Sequence, residues 1–213
     1  FDHTDSDGLK IFLPEWTEAV ARDYNHPALI GWCPFNETWD IDGKKQADEL
    51  LRQIYLETKR LDRIRPVIDS SGNYHVITDI YDIHDYCQDI AAYHRRYDIF
   101  EEGSVFENRP GRQQYKGQPY MLSEYGGIKW SDNPNAWGYG DMPDSVSEYV
   151  ERYTSMIDIL MKNPRICGVC YTQLYDVEQE QNGIYRYDRT PKFDEETMDK
   201  LAAAMRKKAA VEQ

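Results

Sequence analysis

Two glutamates, Glu37 and Glu124, each close a short apolar run. The first run, Ala28 to Phe35, stops on the pair Asn36-Glu37, and the second, Tyr120-Met121-Leu122-Ser123, stops on Glu124. An apolar run without alternation is what a parallel strand covered on both faces looks like. A carboxyl group at the end of such a strand sits at the mouth of a site, half shielded by apolar walls. Shielding of that kind raises a carboxyl pKa and lets the group serve as an acid near neutral pH. An Asn-Glu pair alone more often describes a helix-capping Asn with a surface glutamate beyond it. The second glutamate changes that balance. In a parallel α/β barrel every strand ends on the face where active sites form, so residues far apart in sequence can meet there. Two carboxyl groups across a glycosidic bond, one an acid and the other a nucleophile or base, are the machinery of glycoside hydrolysis. Retention of configuration predicts that they face each other about 5–5.5 Å apart.

The elements that must hold these residues can be read from spacing. Residues 1–10 are polar and read as a loop. A helix is predicted from Pro14, with Trp16, Ala19 and Val20 on one face, ending before Pro27. A second carries Ala47, Leu50, Leu51, Ile54 and Leu61 and must stop before Pro66. A third is placed around Ile90 to Tyr97. Ser145 and Glu148 form a capping-box pattern that opens a fourth, ended by Asn163-Pro164. Asp194 can cap a last one bearing Met198, Leu201 and Met205. Strands are predicted at 28–36, 67–71, 79–85, 119–124 and 166–173. Strands alternating with helices mean parallel βα units.

Composition narrows the function. The chain has 213 residues, enough for one substantial core. Asp and Glu number 38 against 25 Lys and Arg, a formal charge of −13 that repels phosphate backbones and argues against a nucleic-acid partner. No apolar run is long enough to span a membrane. Seventeen Tyr and five Trp offer the apolar face and polar tip that suit sugar binding or a core boundary. Cys167-Gly-Val-Cys170 lacks a second pair to complete a metal site, so Cys33, Cys87, Cys167 and Cys170 read as small buried side chains of a reduced protein. No metal and no cofactor are expected. The chain begins at Phe1, and no targeting segment indicates a compartment.

Asn25-His26-Pro27, the run to Asn36-Glu37, Ser123-Glu124-Tyr125-Gly126 and the stretch from Tyr171 to Asp176 occur in one order. Together they resemble glycoside hydrolase family 2, which includes β-galactosidases, β-glucuronidases and β-mannosidases. The resemblance implies a (β/α)8 TIM barrel and an exo-acting retaining β-glycosidase, β-galactosidase-like. It makes Glu37 the acid/base and Glu124 the nucleophile, with Asn36 holding the sugar 2-hydroxyl. It also implies a tyrosine that orients the nucleophile; Tyr81 and Tyr86 lie in the matching region, and Tyr86 is preferred. His84 is placed on the same wall, though a structural histidine fits equally well. Where many relatives carry a tryptophan platform this chain has Tyr171, and Trp39, Trp130 and Trp137 are alternative platforms. The Asn-x-Lys signature that glucuronidases use is absent, which argues against glucuronides.

A complete barrel needs eight strands and typically about 250 residues. The resemblance therefore implies a partial barrel, about strands 4 to 8, with residues 1–213 forming the C-terminal portion of a catalytic barrel domain. Its outer strands would lack neighbours and expose unpaired backbone edges. The expected partners are a β-glycoside substrate and either further copies of the chain or the remainder of a longer polypeptide. The fragment alone is expected to be weakly active or inactive. A non-catalytic carbohydrate-binding protein on an incomplete barrel is the alternative.

Overall fold

The computed structural model describes residues 2–72, 74–98, 100, 103–109 and 114–213. Among the described residues five α-helices and three strands follow one another: α1 (Leu9–Asp23), α2 (Asp48–Leu61), β1 (Tyr81–Asp85), α3 (Ile90–Tyr97), β2 (Tyr120–Gly126), α4 (Val146–Lys162), β3 (Ile166–Thr172) and α5 (Glu195–Met205). The strands form a parallel sheet in the order β1-β2-β3, an α/β arrangement. The chain divides into two compact units, Phe1–Ile83 with Glu107–Met121, and His84–Phe106 with Leu122–Gln213.

In the first unit α1 and α2 enclose two apolar clusters. Val20, Trp32, Tyr55 and Val67 make one; Phe35, Leu50, Leu51 and Ile54 make the other, with Leu9, Phe12 and Leu13 packed against it. Those last contacts explain why α1 begins at Leu9 rather than near Pro14. The earlier turn is held by burying Leu9, Phe12 and Leu13, and Pro14 lies inside the helix.

The runs at 28–36 and 67–71 do not form continuous strands. They run parallel, joined by isolated bridges between Trp32 and Val67 and between Asn36 and Ser71. Trp32 N–H donates to Pro66 O at 2.9 Å and Ile68 N–H returns to Trp32 O at 2.9 Å. The ladder then lapses at Pro34, which has no N–H to give. It resumes where Ser71 N–H donates to Phe35 O at 2.8 Å and Glu37 N–H to Ser71 O at 3.0 Å. One proline thus interrupts the segment that carries Glu37.

Trp32 is tied to the end of α2 through Asp62, which is fully buried. Its carboxylate accepts from Trp32 Nε1 at 3.0 Å, Arg65 Nη1 at 2.7 Å and the Ile64 N–H at 3.0 Å. Burial alone would raise the Asp62 pKa, but these donors outweigh it and hold the group below its ordinary value of 3.8. A depressed folded pKa contributes stability that is present above the unfolded pKa and is lost as pH falls. Asp62→Asn is expected to cost about 3 kcal/mol near neutral pH, because its amide turns a donor toward Trp32 and Arg65. Urea midpoints of the two proteins should stay apart near neutral pH and converge only as pH falls below the ordinary aspartate value of 3.8 and on toward the lower folded one. Midpoints that stayed equally far apart would separate this effect from the carboxylate charge.

In the second unit α4 packs against α3 and α5, and Ile166 opens β3 from the buried side. Ser145 caps α4 by accepting from Glu148 N–H at 3.2 Å, while the Glu148 carboxylate turns back to Asp144 N–H at 2.8 Å, one residue short of the predicted capping box. Asp194 caps α5 as its position suggested, accepting from Thr197 N–H at 2.8 Å. The cysteines depart from expectation. All four are free thiols, and Cys33, Cys167 and Cys170 are exposed. Cys167 and Cys170 lie on β3, one of the two outer strands of the sheet.

Candidate active site

Glu124 lies near the C-terminal end of β2, and the end of β1 supplies its nearest polar neighbours. The Tyr86 hydroxyl donates to Glu124 Oε2, and His84 Nδ1 lies 3.1 Å from the same oxygen. The His84 side chain is 3% exposed and that of Glu124 26%, so the carboxylate faces outward from a buried support. Burial, and then the bond to Glu124, push the Tyr86 phenol pKa well above its ordinary value, so Tyr86 remains a donor across the working pH range. The Tyr86 ring is stacked flat on Tyr139, with centroids 3.5 Å apart and planes 5° apart. Gln88 Nε2 donates to Gly126 O at 2.9 Å and also to Tyr139 O, and Arg152 Nη1 holds Gln88 Oε1 at 2.8 Å. These contacts fix the β2 exit from three directions.

Gly126 and Gly127 follow Glu124 closely for a steric reason. At φ +91° a Cβ on Gly126 would meet the Tyr171 ring at 2.2 Å, and at φ +65° one on Gly127 would meet Tyr139 at 2.4 Å. Tyr171 is half-buried, with its ring edge-on to Tyr125 and tilted against Tyr153. Its hydroxyl pairs with that of Tyr149 at 3.1 Å and accepts from Ile128 N–H at 3.4 Å. Burial pushes the phenols of Tyr125, Tyr149, Tyr153 and Tyr171 upward, so this cluster stays neutral. The structure thus places Tyr171 as packing behind the glycine turn. The Trp130 ring lies against Tyr149 and Phe193, at 5.8 and 5.6 Å, while Trp137 is 47% exposed.

The loops after β2 and β3 are stitched together. Trp130 N–H donates to Gln181 O at 3.2 Å, Trp137 N–H to Gln179 O at 2.8 Å, and Gln181 N–H to Trp137 O at 2.9 Å. Lys192, whose side chain is 4% exposed, sits beneath them. It donates to Asp176 Oδ1 at 2.6 Å and Trp130 O at 2.9 Å. Burial lowers the Lys192 pKa, and the Asp176 carboxylate opposes the shift.

Glu37 belongs to the first unit. It takes φ +49°, a left-handed backbone that costs a non-glycine residue and is anchored here by its N–H bond to Ser71. Its Oε2 accepts from Trp39 Nε1 at 3.3 Å. Trp39 is 37% exposed, and the Arg109 guanidinium lies 4.4 Å over its ring. Asn36 is exposed beside Glu37. Tyr81, the other candidate for the tyrosine that orients the nucleophile, donates to Glu107 Oε1 at 2.6 Å.

Sequence reasoning missed Tyr139, Gln88 and Arg109. Tyr139 carried a faint signal, an aromatic residue between Gly138 and Gly140. Nothing in the spacing marked Gln88 or Arg109, whose roles come from long-range contacts.

Parallel βα units with a carboxylate presented at a strand's C-terminal end define an α/β protein. The chain belongs to glycosyl hydrolases family 2: the model of that family's TIM barrel domain matches residues 2–206. Among solved structures, β-D-glucuronidase from Dictyoglomus thermophilum is similar at 19% identity and TM-score 0.68, over 96% of this chain and 36% of that one. β-Glucuronidase from an uncultured Clostridium sp. is similar at 15% identity and TM-score 0.64, over 93% and 36% respectively. A β-galacturonidase from Eisenbergiella tayi, bound to galacturonate, is similar at 16% identity and TM-score 0.60, over 91% and 36%. The chain therefore spans little more than a third of the length of these structures. A search of curated proteins found no match. Among the described residues no helix is long and apolar enough to cross a membrane.

Proposed function

We propose that this chain carries the catalytic carboxyl pair of a retaining, exo-acting β-glycosidase. Family membership supports a glycosidase. The observation that carries the mechanistic reading is the Tyr86–Glu124–His84 arrangement. A carboxylate held by a phenol and an imidazole is oriented and kept available as a nucleophile. In the first step a Glu124 oxygen attacks the anomeric carbon while Glu37 gives its proton to the glycosidic oxygen, and the leaving alcohol departs. In the second, Glu37 takes a proton from water, whose oxygen displaces Glu124 and restores the original configuration. Asn36 holds the sugar 2-hydroxyl, a bond that strengthens as the ring flattens toward the oxocarbenium ion. Trp39, steadied by Arg109, offers the exposed aromatic face beside Glu37. The chain is read as strands 4 to 8 of the barrel, within a longer polypeptide or against further copies of itself.

For the sugar we infer a neutral, galactoside-like glycone. The solved neighbours named for acidic sugars share the fold at under 20% identity, and this chain lacks the Asn-x-Lys signature. A panel of nitrophenyl β-galactoside, β-mannoside, β-glucuronide and β-galacturonide assayed on the full-length protein tests this. Fastest turnover of a uronide would overturn the inference. The mechanism is tested by incubation with a 2-deoxy-2-fluoro glycoside and mass analysis of the peptide containing Glu124. A covalent adduct there is expected; binding without any adduct on slow-substrate timescales would favour the carbohydrate-binding alternative.

Tyr86→Phe should lower kcat by about a hundredfold with little change in KM, since the lost bond orients the attacking oxygen rather than the bound sugar. An equal rise in KM at constant kcat would place Tyr86 in substrate binding instead.

A further inference from the structure

His75 is a buried histidine that the proposed reaction does not use. Its side chain is 4% exposed and lies between two carboxylates that are themselves fully buried. Nδ1 lies 2.7 Å from Asp69 Oδ1; Nε2 lies 2.8 Å from the Asp82 carbonyl and 3.2 Å from Asp82 Oδ1. Asp69 and the Asp82 oxygens thus offer acceptors to a protonated ring, while the Asp82 N–H also lies 3.3 Å from Nε2. Burial disfavours that charge, but the bonds from Asp69 and Asp82 override it and push the pKa up to about 10.

Each carboxylate in turn holds backbone. Asp69 accepts from Val76 N–H at 2.6 Å and Ile77 N–H at 2.9 Å, closing the turn that brings His75 back beneath residue 69. Asp82 Oδ2 accepts from Ser71 Oγ at 2.7 Å and Gly72 N–H at 3.0 Å. Ser71 is the residue whose carbonyl receives the Glu37 N–H at 3.0 Å and whose own N–H binds Phe35 O at 2.8 Å. A continuous path therefore runs from the buried cation, through Asp82 and Ser71, to the backbone of Glu37. It ends where the ladder has already been broken by Pro34 and where Glu37 sits in a left-handed conformation. Ser71 is thus one backbone anchor of Glu37, whose own carbonyl receives the Trp39 N–H at 2.8 Å.

We propose that His75 is a positioning residue for Glu37, acting through Asp82 and Ser71. This rests on the reading of Glu37 as the acid/base and deepens it. The step in which Glu37 protonates the leaving group needs its carboxyl aligned with the glycosidic oxygen, whereas substrates with good leaving groups need little protonation. Loosening the path should therefore harm poor leaving groups selectively, which a general loss of folded protein would not do.

The test uses the full-length protein and two glycosides of whichever sugar it turns over fastest, one with a dinitrophenyl and one with a methyl leaving group. It compares kcat/KM, which reports the glycosylation step. Ser71→Ala keeps the buried cation and its carboxylates paired and is expected to fold. It should lose about tenfold on the methyl glycoside and less than about twofold on the dinitrophenyl glycoside. His75→Gln should show the same selectivity with a larger loss, and if it does not fold Ser71→Ala alone decides. Equal losses on both substrates, or none on either, overturn the positioning role. Glu37→Gln measured beside them separates the two ideas. Selective loss there with unselective loss in Ser71→Ala overturns His75's role alone, and unselective loss in Glu37→Gln overturns the acid/base reading with it.

Discussion

Glu124→Gln is expected to lower turnover of every glycoside by about 10⁴-fold or more, whatever the leaving group. The amide has nearly the shape of the carboxylate, so packing around Tyr86, His84 and the Gly126-Gly127 turn should persist. What disappears is the oxygen that forms the glycosyl-enzyme bond. Without it, protonation of the leaving group produces an oxocarbenium-like species with no partner to collapse onto. Binding of a substrate analogue should survive within a few-fold, as calorimetry would report. Retained turnover on a dinitrophenyl glycoside would remove Glu124 from the nucleophile role, and Tyr86 would then be only a packing tyrosine.

Glu37→Gln should behave in a way that distinguishes it sharply. On alkyl glycosides the loss should be about 10²–10⁴-fold, the usual worth of a general acid. On dinitrophenyl glycosides kcat/KM should be nearly preserved, because a weakly basic leaving group departs without help. The second step still needs Glu37 as a base, so one equivalent of dinitrophenolate should be released rapidly, followed by slow turnover. Azide, which attacks without deprotonation, should accelerate that slow phase and yield a β-glycosyl azide. If Glu37→Gln and Glu124→Gln lost activity alike on both leaving groups, and azide changed neither, the assignment of roles would fail.

Much of the helical framework was legible in the sequence because its causes are local. Leu50, Leu51 and Ile54 recur at helical spacing and are buried in α2, and α3 covers the predicted Ile90 to Tyr97. Ser145 and Asp194 cap the helices they precede. Pro14 misled, because a first-turn preference was outweighed by burying Leu9, Phe12 and Leu13 against Phe35 and its neighbours.

The candidate site divides along the same line. The sequence by itself determined the carboxyl groups and their places at the ends of apolar runs, since residue type and hydrophobic run length are local properties. How those groups are held follows from contacts that form on folding. Pro34 turns the predicted strand before Glu37 into two bridges, and Glu37 N–H bonds Ser71 O just past the second. The choice of Tyr86 rather than Tyr81 beside Glu124 depends on where each phenol ends, one on Glu124 and the other on Glu107. His75, Tyr139 and Gln88 gain their places from hydrogen bonds and ring contacts between segments that only folding brings together. Such contacts leave no periodicity behind, because they depend on where two segments meet and not on how either one is spaced.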